Sequence, residues 1–128
     1  MTTAQLFAVT AVMEAGAGLA LLVAPVPVIS LLFVSSEIQT AAAIGRLAGA
    51  ALITLGAACW WARHDDVSTT SKGLVTSLVI YNAAVVALVI AGNFGVPGPL
   101  IWTFAVLHGA MAIWCLRSLQ HWPVSARA

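Results

Sequence analysis

Ala41–Trp61 reads AAAIGRLAGAALITLGAACWW, an apolar run long enough to cross a bilayer, with one arginine set inside it. A helix rises about 1.5 Å per residue, so roughly 20 such residues cover a hydrocarbon core of about 30 Å. A charge at that depth costs about 2.5–3.5 kcal/mol on insertion scales, so Arg46 calls for a partner or a function. Three further apolar spans flank this one, and each carries one polar group at comparable depth: Glu14, Asn82 and His108.

Composition supports the same architecture. The chain is 62% hydrophobic and only 7% charged, with a mean hydropathy of +1.04. Soluble domains carry about a quarter charged residues. A length of 128 residues allows one compact unit, so the whole chain is read as a single membrane domain. The net charge is +1 with no basic stripe, which excludes nucleic acid as a partner. Cys59 and Cys115 fall inside apolar spans and read as small buried hydrophobes.

Taken in order, the spans fall at about 4–24, 39–62, 73–91 and 100–119. Glu14 interrupts the first, and no Lys or Arg precedes it, so this span reads as a retained helix and not a signal peptide. Pro25 and Pro27 end it, since proline removes a donor and disfavours helix in the residue before it. Val28–Val34 is apolar but too short to cross, which suggests an interfacial helix or a re-entrant turn. Ser35, Ser36 and Glu37 form the first turn.

In the second span Ala41, Gly45, Gly49 and Gly56 share one side. Small residues four apart let helix backbones approach, here toward a neighbour in the chain or toward a second protomer or partner through Gly45 and Gly49. Ser68–Ser71 supplies caps for the third helix, which carries an Ala83-Ala87-Ala91 stripe. His64, Asp65 and Asp66 read as solvated loop, because adjacent residues cannot face one metal ion well. Gly92–Pro99 is a tight turn, and His121-Trp122-Pro123 opens a polar tail.

Arg63, Lys72, Arg117 and Arg127 lie in the middle loop or near the C-terminus, and the other two loops hold no Lys or Arg. The positive-inside rule then places both termini in the cytoplasm. Trp60, Trp61, Trp114 and Trp122 mark the cytoplasmic boundary and Trp102 the outer one. The implied setting is a cell inner (plasma) membrane, crossed four times.

Counting residues from the span ends puts Glu14, Arg46, Asn82 and His108 within a layer about one helical turn thick. The lean of side chains toward helix N-termini pairs Glu14 with Asn82 and Arg46 with His108. The long arginine stem also permits a Glu14–Arg46 bridge, the expected arrangement, because a lone carboxylate at the midplane is costly. Such a layer can simply fix which helix sits where. It can equally line a cavity, with Tyr81 and Thr10 beside it, that holds a small lipophilic or anionic molecule.

A short four-helix chain with a single carboxylate midway along Ala8–Leu21 resembles the small multidrug resistance transporters. That resemblance implies proton-coupled export through Glu14. The chain departs from the family in Arg46, in its scarce interior aromatics and in its one-sided charge bias. An enzyme would use Glu14 and His108 as an acid–base pair with Arg46 holding an anionic or carbonyl group. No di-metal cluster, CxxC or Ser–His–Asp pattern supports that chemistry, and haem ligation would need a second ligand for His108. An accessory or self-associating subunit, its polar layer structural, is the remaining alternative. The expectation is a four-transmembrane-helix, all-α bundle with an interior ligand site.

Overall fold

The computed structural model describes residues 2–34, 36–65, 68–92 and 96–122. Four of its five helices are long and apolar enough to cross a membrane: α1 (Thr3–Val23), α3 (Ile38–Ala62), α4 (Thr69–Ile90) and α5 (Ile101–Gln120). The protein is accordingly a multi-pass membrane protein. Its outward faces are apolar, with Val12, Leu19, Leu47, Ile80, Ile90 and Val106 all more than half exposed. Lipid, and not water, suits such a surface.

Helix boundaries follow the local chemistry. Thr2 caps α1 in a reciprocal capping box with Gln5. Ser68 caps α4 by accepting from the Ser71 amide, so that helix begins at Thr69 and not at Gly73 as the sequence suggests. The hydroxyls of Ser68 and Ser71 also donate to the Asp65 carboxylate, at 2.5 and 2.8 Å. Those two bonds hold the Asp65 carboxyl below its usual range. Gly92 ends its helix with φ +69, a value glycine adopts freely.

After α1, Pro25–Leu32 forms a short helix, α2, begun by proline in its first turn. It leads into a two-residue strand, β1 (Phe33–Val34), antiparallel to β2 (Val96–Pro97). Neither strand is visible in the hydropathy pattern. The Gly98 and Leu100 amides extend the link by donating to Leu32 and Leu31. This ladder ties the α2–α3 connection to the α4–α5 connection. Of the expected turns, Ser35 and residues 93–95 lie outside the described residues, as do Asp66 and the tail from Pro123.

The long helices form two antiparallel pairs. Within the first, α1 and α3 meet through glycines: Gly18 lies against Gly49 and Ile53, and Gly56 against Ala11 and Ala15. Gly45 faces Leu21, Pro25 and Ile29, so the small-residue side of α3 is covered from within the chain. The Ala83-Ala87-Ala91 stripe of α4, by contrast, is exposed. All four long helices join in one core at the end bearing Thr3 and Gln120, built from Leu6, Phe7, Ala11, Cys59, Val75, Leu78, Met111 and Cys115. A smaller cluster of Val89, Ile101 and Ala105, backed by Leu32 and Phe104, closes the opposite end.

Candidate functional site

Apart from Ser71, which belongs to the cap of α4, the buried polar residues among those described are Thr10 and Glu14 on α1, Asn82 on α4 and His108 on α5. On α1, Leu6, Phe7, Thr10, Ala11, Glu14 and Gly18 form the inward face at helical spacing. Glu14 is 8% exposed and follows directly on the core residue Ala11. On α4, Asn82 is one turn beyond the core residue Leu78 and 2% exposed. On α5, His108 lies between Ala105 and Met111 and is 7% exposed. Asn82 and His108 meet across α4 and α5, and Glu14 lies on the inward face of α1.

Their bonding differs from the sequence expectation. His108 Nδ1 and Asn82 Oδ1 are 2.8 Å apart, and Asn82 Nδ2 donates to the Leu78 carbonyl at 2.8 Å. The direct polar pair is therefore Asn82–His108, across the α4/α5 seam. Those helices pack against each other as sequence neighbours, and that proximity overrides the opposed lean of the two side chains. Tyr81, half-buried, meets the His108 ring edge-on with centroids 5.5 Å apart. Phe104 does the same at 4.3 Å. Sequence reasoning missed Phe104, although its position four residues before His108 puts it on the same helix face.

Arg46 does not join them. It is exposed, on the flank of α3, and no ion pair links it to Glu14 among the described residues. Two physical reasons account for this. The glycines that pack α3 onto α1 and α2 fix its rotation, and position 46 is turned about 100° from Gly45. The level differs as well: Gly45 lies beside Leu21 and Pro25, which puts Arg46 about 10 Å along α1 from Glu14. Arg46 is thus missing from the buried polar residues, and in place of the bridge Glu14 has no hydrogen-bond or ion-pair partner among the described residues. One turn before Glu14, the Thr10 hydroxyl is fully buried and also lacks a partner there.

The described interior holds a carboxyl and a hydroxyl on α1 and an amide–imidazole pair between α4 and α5, with Tyr81 and Phe104 against the imidazole. The described residues hold no group of three metal-ligating side chains. No family model, curated protein or solved structure matches the chain.

Proposed function

We propose that this protein binds a small lipophilic molecule inside its bundle, at the level of Glu14, Tyr81, Asn82 and His108. The observation that carries this reading is Glu14, 8% exposed on the inward face of α1 and without a hydrogen-bond or ion-pair partner among the described residues. A carboxyl in such a place is expensive unless something satisfies it, and intramembrane ionisable groups default to a functional role. With Arg46 outside, the described interior supplies no arginine or lysine, so a neutral or cationic molecule suits it better than an anion. The charge bias of Arg63, Lys72 and Arg117 favours cytoplasmic termini, in the inner (plasma) membrane of a cell.

Native mass spectrometry of the gently extracted protein tests this. The wild type should carry a bound lipophile, and Glu14→Leu should lose it while retaining its helical circular dichroism. Bare wild-type protein would overturn the reading. An accessory or self-associating role has one observation in its favour, the exposed Ala83-Ala87-Ala91 stripe. In that case the same spectra would show a dimer or partner mass and no small molecule.

A further inference from the structure

The Asn82–His108 pair determines which atoms of the imidazole remain available. The Leu78 carbonyl can only accept, so the Asn82 amide nitrogen must face it. The Asn82 atom facing His108 is then the oxygen, also an acceptor. Nδ1 of His108 therefore carries the proton and donates to it. In a neutral ring, that leaves Nε2 bare, a lone pair with no donor. No described residue hydrogen-bonds to Nε2. Tyr81 and Phe104 meet the ring in T-shaped contacts, and the residue is 7% exposed.

We infer that His108 Nε2 is the acceptor that selects the ligand, and that the molecule bound is a lipophile carrying a hydroxyl or N–H donor. This rests on the interior-binding reading above and narrows it. An imidazole nitrogen left without a donor on a residue only 7% exposed is an open acceptor, and a donor on the ligand can pair with it. A molecule of equal size offering only an acceptor, such as an ether, leaves the nitrogen unpaired. A phenol, an apolar ring carrying a single hydroxyl donor, is the probe that offers this chemistry most simply.

The test uses the full-length chain in micelles at about pH 8, above the ordinary imidazole range, with ¹⁵N-labelled histidine. His64→Asn and His121→Asn together isolate the His108 signals. The free protein should show the Nδ1–H tautomer. Adding 4-ethylphenol should move the Nε2 resonance, and 4-ethylanisole, its methyl ether, should leave it in place. Affinity should favour the phenol by on the order of tenfold, and Asn82→Leu should erode that preference by releasing the tautomer. A proton found on Nε2 in the free protein would overturn the inference before any probe is added. Equal binding of phenol and ether, with a lipophile still present in native mass spectra, would overturn it and leave the broader reading intact. If neither probe binds and native spectra show bare protein, the broader reading fails and takes this one with it.

Discussion

Gly18 and Gly49 cross backbone against backbone: a Cβ built on Gly18 would stand 2.5 Å from the Gly49 carbonyl oxygen, and one on Gly49 2.6 Å from that of Gly18. Neither obstacle is a side chain that can swing aside. Gly18→Ala or Gly49→Ala should therefore separate α1 from α3 and destabilise the protein by about 2–3 kcal/mol. Gly16→Ala is the control, because nothing lies within 4 Å of its Cβ position. That change should be neutral or stabilising by up to about 1 kcal/mol through helix propensity. Thermal or denaturant unfolding in micelles checks both, and equal effects at Gly16 and Gly49 would contradict the crossing.

The link between the two far-end connections should fail locally. A Cβ on Gly98 would meet the Leu31 carbonyl oxygen and the Leu32 carbonyl carbon, each at 2.7 Å. Gly98→Ala should break the bonds from the Gly98 and Leu100 amides to Leu32 and Leu31. The expected readout is accelerated amide exchange at Gly98 and Leu100, with α1 and α3 amides unchanged. Loss of protection throughout the bundle would show instead that the ladder holds the whole fold.

Asp65 gives a pH dependence of known sign. Hydrogen bonds from Ser68 and Ser71 lower its folded-state value below the unfolded one of about 3.9. Its contribution is therefore present above that value and fades as pH falls through the lower folded-state value. The wild type should exceed Asp65→Asn in unfolding midpoint by a constant margin above about pH 5, and that margin should shrink below about pH 4. A margin that widens on acidification would show that the carboxylate is not the favoured form in the cap.

The buried amide–imidazole pair should show coupling. Asn82→Leu leaves the His108 Nδ1–H unpaired, and His108→Phe leaves the Asn82 oxygen unpaired, each costing about 1–3 kcal/mol. The double variant removes both orphans, so it should cost less than the two singles combined, by about 0.5–2 kcal/mol. Additive losses in the unfolding free energies would mean that the two groups do not pair in the membrane.

How much of each element is legible in the sequence differs for physical reasons. The four crossings are legible because each needs its own uninterrupted apolar run, and Pro25, Ser68 and Gly92 mark the breaks. Glu14, Asn82 and His108 are legible as candidates for burial because a polar group in an apolar crossing is cheaper against protein than against lipid, and all three are buried. The same reasoning misplaces Arg46, since it treats each crossing as independent. α3 instead starts beside α2, and its rotation is set by which glycine meets which backbone. That is a property of two helices together, and Gly18 looks like any other glycine until its partner is known. β1 and β2 are two residues long, too short to leave an alternation in the pattern.

The position of Arg46 yields the sharpest contrast between the expected and the observed bundle. Removing one partner of a buried ion pair costs about 3–5 kcal/mol, because the other charge is left stranded. An exposed arginine without an ion pair leaves nothing stranded, so Arg46→Leu should change stability by no more than about 0.5 kcal/mol. Removing a charge from an apolar span also lowers the cost of inserting it, which pushes any residual effect toward stabilisation. Glu14→Leu, measured in parallel, should respond identically in the wild-type and Arg46→Leu backgrounds, because no bridge connects the two positions. A double-variant cycle on unfolding free energies reads this directly: zero coupling supports the placement of Arg46 on the outer flank of α3, and coupling of several kcal/mol would return it to the interior.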